Sequence, residues 1–235
     1  MMQVITQAAY VLHSRAYRET SALIDLLTLD YGRMSVVAKG IRKPRGTRQA
    51  LLQPFSPLWV SWTGRSELKV LTAVESRGIS HPLQGKCLFA GLYLNELLIA
   101  LLHKWDAHPL LFEKYEQTLQ MLHASALNER VLRIFEQDLL QELGYAPLPK
   151  WSDSLHNTFL PDQYYCFIHE QGFVLTTKKE YPLNHPTVFL GEHLLGIAKG
   201  DWQDESILKA AKRLTRLILA PLLGAKEIYS RQLFR

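Results

Sequence analysis

The chain has 235 residues, 47% of them apolar, and a formal net charge of +5, enough length and apolar material for one large or two small globular units and unlike a low-complexity composition. Its two cysteines, Cys87 and Cys166, exclude a disulfide framework and a CxxC metal pair and suit a reducing, cytoplasmic setting. The charge is uneven: residues 1–80 carry 11 Lys/Arg against 5 Asp/Glu (+6), residues 81–205 carry 9 against 16 (−7), and residues 206–235 carry 7 against 1 (+6), so either end suits a polyanion and the middle a basic partner.

The N-terminal MMQVITQAAYVLHSR lacks the charged start and long apolar core of a signal peptide. From Val4 to Leu12 it is β-branched and aromatic enough for a first strand, ending at His13-Ser14-Arg15. Ser21–Thr28 and Arg33–Lys39 read as a hairpin joined by Asp30-Tyr31-Gly32, with Gly supplying the positive φ of the turn. A basic loop follows, Lys39, Arg42, Lys43, Arg45 and Arg48 with no anion, and its two Gly and one Pro disfavour a helix. Leu51–Trp62, with Pro54 and Pro57, reads as a bent or edge-placed fourth strand, and Glu67–Val74 as a fifth after the turn Thr63-Gly64-Arg65-Ser66. Five short strands in 80 residues predict a small antiparallel barrel of the OB-fold kind.

After Gly78 the apolar period changes to about 3.6. Cys87–Leu102 is apolar on every face, shorter than the ~20 residues of a membrane span and interrupted by Asn95 and Glu96, so a helix buried among other elements is expected. His108-Pro109 starts a second helix running through Leu122. Asn128 caps a third, with Val131, Leu132, Phe135, Leu139 and Leu143 on one side and Gly144 closing it. Between Tyr145 and Pro186 the pattern stops, and Tyr164–His169 with Phe173–Thr177 reads as a hairpin insert. Asp204–Leu219 is the clearest amphipathic helix: an acidic start, an apolar face, and Lys209, Lys212, Arg213 and Arg216 as a second basic face. The predicted class is therefore α+β: an N-terminal five-stranded OB-fold domain over 1–80, suited by its basic loop to nucleic acid, and a C-terminal helical domain over 81–235 with a β insert at about 145–186.

Enzyme signatures are absent. There is no GxxxxGK[ST], GxSxG or HExxH, and Ser206 with Lys209 matches a bare SxxK only as the start of the amphipathic helix. His156, His169, His185 and His193 lack tetrahedral-site spacing, so neither a metal nor another cofactor is expected.

Several short runs nevertheless fall in one order along nearly the whole chain: ArgGluThrSer at 18–21, GlyArg at 32–33, ValAlaLysGly at 37–40 before a basic loop, LeuGlnProPheSerProLeu at 52–58, GluLeuLys at 67–69, GlyLeuTyrLeuAsnGluLeuLeu at 91–98, LeuGlyTyr at 143–145 and SerArg at 230–231. Together they resemble the RecO family of bacterial recombination mediators and DNA repair proteins. That resemblance implies single- and double-stranded DNA binding, strand annealing, and help in loading the RecA recombinase onto DNA covered by single-strand-binding protein. It also implies RecR as working partner, the acidic tail of the single-strand-binding protein as a second contact, and a bacterial, nucleoid-associated cytoplasmic location. Many members carry a four-cysteine zinc site after the LeuGlyTyr element. With Cys166 alone there, this chain resembles the metal-free branch.

The cations expected on a phosphate backbone are Arg15, Arg18, Arg33, Lys39, Arg42, Lys43, Arg45, Arg48, Arg65 and Lys69. Tyr17, Tyr31, Trp59 and Trp62 are the aromatics that could stack on unpaired bases. Trp59 and Trp62, three apart on one strand, must face opposite sides, so at most one is inside the barrel. For an acidic, hydrophobic-ended tail, LeuArgIlePheGlu at 132–136 offers Arg133 as carboxylate receiver and Leu132 or Phe135 as groove wall. An OB-fold RNA-binding or ribosome-associated factor would use the same barrel cations, and a nuclease is disfavoured because the basic domain has no carboxylate cluster.

Overall fold

The structure, a computed structural model, describes residues 3–42, 47–80, 82–124, 128–146, 159–177, 182 and 184–234. The chain packs as two compact units, Met1–Leu127 together with Lys226–Arg235, and Asn128–Ala225.

The first unit is built on five strands, β1 (Gln3–Tyr17), β2 (Ser21–Thr28), β3 (Gly32–Ala38), β4 (Leu58–Thr63) and β5 (Lys69–Ser76), closed in the order β1-β2-β3-β5-β4. The first strand makes closure possible. Its early half pairs with β4, from Gln3↔Thr63 to Ala9↔Leu58, and its late half with β2, from Ala9↔Thr28 to Tyr17↔Ser21. Register shifts between Val4 and Gln7 and between Val11 and His13 bend it from one neighbour to the other, as bulges do. The barrel is not wholly antiparallel: β3 and β5 run parallel at Val36↔Lys69 and Val37↔Val70. Five strands in a closed ring cannot alternate in direction all the way round, so one seam must be parallel.

Strand alternation sends Val11, Ile24, Leu26, Met34, Val36, Leu58, Val60 and Trp62 into one buried cluster. Trp62 is fully buried while Trp59, three residues earlier, is exposed, as their spacing requires. The fourth strand begins at Leu58 rather than Leu51, because Thr47–Leu51 forms a short helix, α1, and the two prolines lie in the connection that follows.

Two longer helices, α2 (Gly85–Leu101) and α3 (Pro109–Ala124), complete this unit, so its packing continues past residue 80. The polar interruptions of α2 have partners. Asn95, buried, donates from Nδ2 to the Leu12 carbonyl on β1 at 2.9 Å and accepts the Tyr115 hydroxyl from α3 at 2.6 Å. Glu96 accepts both the backbone N–H (3.0 Å) and the hydroxyl (2.7 Å) of Ser230, which holds the C-terminal 3₁₀ helix Tyr229–Phe234 on α2. Beside it Lys226 Nζ donates to the Ala100 carbonyl at 2.7 Å, a cation at a helix C-terminus, where the dipole favours it.

Between α2 and α3 the chain passes close to the β2–β3 turn. Gly32 has φ +63°, and a Cβ there would stand 1.7 Å from the Asp106 carbonyl oxygen. Gly85 also has positive φ (+52°) but open space around it. Gly85→Ala is expected to cost about 1–2 kcal/mol, the left-handed penalty alone, and Gly32→Ala clearly more, because backbone must move as well. Denaturant midpoints of the two variants check this, and equal midpoints would count against the close approach.

In the second unit α4 (Glu129–Glu142), α5 (Gly191–Lys199) and α6 (Glu205–Leu223) pack with a three-stranded sheet. The expected hairpin is present as β6 (Tyr164–Ile168) and β7 (Gly172–Thr176), and a third strand missing from the sequence expectation, β8 (Val188–Leu190), pairs with β6. The sheet carries its own aromatic core: Phe173 lies 5.6 Å from Phe159, 5.3 Å from Phe167 and 5.9 Å from Phe189. Asn128 caps α4 through a bond from Arg130 N–H, and Asp204 caps α6 through bonds from Ser206 and Ile207 N–H. Helix α6 runs through Pro221 to Leu223 and ends at Gly224, one turn beyond the expected stop at Leu219.

Candidate nucleic-acid interface

The end of β1, the start of β2 and the end of β3 meet at one rim of the barrel, since Tyr17 pairs with Ser21 and Ala22 with Ala38. Arg18 makes the turn with φ +53°, and its guanidinium lies 5.3 Å from the Tyr17 ring. After β3, Gly40 takes φ +68° and Arg42 N–H donates to the Thr20 carbonyl at 3.0 Å. That bond folds the segment after β3 onto the β1–β2 turn. Arg15, Arg18, Lys39 and Arg42 are thereby gathered on one rim, all exposed.

Two open clefts lie on this rim. One, of about 390 Å³, includes Arg15 and Arg42 in its lining, and the other, of about 380 Å³, includes Tyr17, Arg18 and Lys39. Among the described residues no carboxylate lines either cleft; Glu19, exposed, lies between Arg18 and Thr20 in the β1–β2 turn. Nearby, Arg48 is exposed on α1. Lys43 and Arg45 lie outside the described residues.

Three expected cations stand elsewhere. Arg65 is exposed in the β4–β5 connection, beside Thr63, which pairs with Gln3 at the opposite end of β1. Arg33 is half-buried and donates from Nε to the Leu102 carbonyl at 3.0 Å, and burial lowers its pKa, with Asp25 opposing. Lys69 is 6% exposed; its ammonium donates to the Ser66 carbonyl at 2.7 Å and the Gly64 carbonyl at 3.4 Å and sits 5.0 Å from the Trp105 ring. The Arg33 Nε and the Lys69 ammonium thus serve loop carbonyls, and neither residue joins the cations gathered on the rim. Among the aromatics, Trp62 is buried, Tyr31 packs edge-on against it at 5.2 Å, Trp59 is exposed on β4 with the Arg77 guanidinium 5.9 Å from its ring, and Tyr17 is the ring that lines a cleft of the cationic rim.

In the second unit the basic face of α6 is largely paired. Lys209 meets Glu205 and Lys212 meets Glu129, each at 2.8 Å. Arg213 donates to the Val188 carbonyl at 2.7 Å and stacks 4.3 Å from Phe189, and burial lowers its pKa. Arg216 is exposed. Burial pushes the Glu129 carboxyl up, but the bond to Lys212 and the charges of Lys212, Arg133 and Arg216 outweigh it and hold the pKa below the ordinary value. The expected tail groove is not open. Leu132 and Arg133 are each 5% exposed and Phe135 is 0% exposed, while Arg133 is paired with buried Glu136, one turn on, at 2.8 Å. Spacing i, i+3 on one helix brings the two together.

The sequence reading missed the lining residues Thr20, Ser21, Gln49, Gln53 and Pro54, and only the turn chemistry of Thr20 and Ser21 hinted at them. Among the described residues no group of three or more His, Cys, Asp or Glu could hold a metal, and no helix is long and apolar enough to cross a membrane.

A small closed five-stranded barrel with a bulged first strand defines an OB-like protein, here followed by a helical region. The chain belongs to the RecO family: residues 2–79 match the model described as recombination protein O N terminal, and residues 84–232 the one described as recombination protein O C terminal. It is 46% identical to the DNA repair protein RecO of Cellvibrio japonicus, covering 99% of this chain and 98% of the relative. The protein of the same name from Coxiella burnetii is 42% identical with 98% of both covered, and that of Pseudomonas paraeruginosa 44% identical with 97% and 94% covered.

Proposed function

We propose that this chain is a DNA-binding recombination mediator acting in DNA repair. It binds single- and double-stranded DNA through the barrel rim, anneals complementary strands and, with RecR, helps load RecA onto strands coated by single-strand-binding protein. The reading is supported above all by the gathering of Arg15, Arg18, Lys39 and Arg42 around two clefts that no carboxylate lines. Cations gathered in this way gain affinity by releasing counterions condensed on a phosphate chain, whatever its sequence. No enzymatic step is proposed.

The acidic tail of the single-strand-binding protein is a further proposed partner, for which the buried Leu132, Arg133 and Phe135 offer no open groove.

The test is annealing of complementary strands coated with single-strand-binding protein, beside titrations with matched single-stranded DNA, duplex DNA and RNA. Salt-dependent DNA binding and faster annealing are expected. Binding without annealing would overturn the mediator reading, and a marked preference for RNA would favour an RNA-binding factor.

A further inference from the structure

The two rim clefts differ in chemistry, and the difference exceeds what a phosphate track requires. Phosphate recognition needs donors and cations, which the cleft formed by Arg18, Thr20, Ser21, Lys39 and Gly40 supplies. The other, between the end of β1, α1 and α2, has Leu12, Ile41, Leu52 and Leu92 in its wall, with the amides of Gln49 and Gln53 and the cations Arg15 and Arg42. Apolar wall gives a phosphate nothing, because a charged group loses hydration against it. A cleft of mixed lining, apolar at Leu92 and at the edges of the buried Leu12, Ile41 and Leu52 and polar at His13, Ser14, Gln49 and Gln53, suits a small, flat, amphipathic ligand, and about 390 Å³ falls in the range of such sites.

The geometry points to a single unstacked nucleobase as the occupant of this cleft. This rests on the DNA-binding reading above and gives that site a base-capture subsite. The base would lie against the leucine and isoleucine side chains with its hydrogen-bonding edge towards Gln49 and Gln53, and its flanking phosphates would meet Arg15 and Arg42. Gln53 Nε2 donates to the Gln49 carbonyl at 2.9 Å, which fixes that amide. Arg15 and Tyr17, which line neighbouring clefts, are two residues apart on β1, about 7 Å, so one strand laid along the rim meets both clefts. Every base offers an apolar face, so such capture carries little sequence preference. It also selects single strands, whose bases leave the stack at lower cost than paired ones.

The experiment uses the full chain and a single-stranded oligonucleotide bearing one 2-aminopurine at successive positions, with the matching duplex alongside. At saturation a several-fold rise in fluorescence is expected at one position of the single strand. Ala16→Trp, which places a ring at an exposed residue lining the cleft and leaves the charge unchanged, is expected to abolish the rise. It should weaken single-strand binding about tenfold, with duplex affinity and both salt slopes unaltered. Gln49→Leu, on an exposed helix position, should lower single-strand affinity a few-fold without loss of thermal stability. Saturated, salt-dependent binding with no fluorescence rise at any position would overturn the base subsite and leave the DNA-binding reading standing. Absence of any salt-dependent binding would overturn both. An equal loss for duplex and single strand in Ala16→Trp would assign the cleft to backbone contacts and overturn the subsite.

Discussion

Arg133→Ala is expected to destabilise the second unit by about 3–5 kcal/mol, the cost of removing one member of a buried ion pair. The Glu136 side chain is 0% exposed, and the Arg133 guanidinium lies 2.8 Å from its carboxylate. Removing the cation takes the guanidinium counter-charge away from a carboxylate buried beyond the reach of solvent. Replacing both, as in Arg133→Met with Glu136→Leu, should recover most of the loss, because two apolar side chains of similar volume need no charge partner. Denaturant titrations of the single and double variants check this. A single variant as stable as the parent would mean that the pair is not formed in solution. Tail-peptide binding by Arg133→Ala alone would mix lost folding with lost recognition, so the double variant is the one to titrate.

Replacing Arg15, Arg18, Lys39 and Arg42 together by Gln is expected to remove most affinity for single-stranded DNA. Each phosphate contact on a single strand contributes about 0.7 to the slope of log K against log salt. Four lost contacts therefore lower the slope by about 2.8, equivalent to several hundred-fold in affinity at about 0.1 M salt relative to 1 M. All four side chains are exposed, so stability should change little. Arg33→Gln is the contrast. Its guanidinium serves the Leu102 carbonyl, so stability should fall by about 1.5–3 kcal/mol, the worth of a hydrogen bond to a charged group, while the salt slope stays the same. An unchanged slope in the fourfold variant would show the rim to be merely solvated.

The comparison of Arg33 with Arg42 shows how far such a site can be read from sequence. Both are arginines flanking the same hairpin, but one is taken by a carbonyl 69 positions away and the other is left on the rim. Charge runs reveal where cations are dense, and only tertiary packing decides which of them is spent internally. Strands β2 and β3 were legible because alternation and a glycine turn are local signals. The parallel β3–β5 seam is a property of the closed ring and leaves no mark in either strand. Strand β8 is three residues long, too short for a period to register. Arg133 read from the sequence as the receiver of a tail carboxylate, whereas it meets Glu136 of its own helix; the i, i+3 spacing admits that pair, but nothing in it marks burial, since the same spacing serves exposed pairs equally well.

The Ser230–Glu96 latch fixes an order of assembly. The 3₁₀ helix that it holds belongs to the barrel unit, yet in the chain it follows the whole of the second unit. During synthesis the surface of α2 that receives it stays bare until residues 226–234 have emerged, after every strand and helix of the second unit has been made. The barrel unit begins first and is completed last. Cutting the chain at residue 225 would remove no part of the second unit and would instead uncover Tyr93 and Phe89 on α2, which now lie against Arg231 and Phe234.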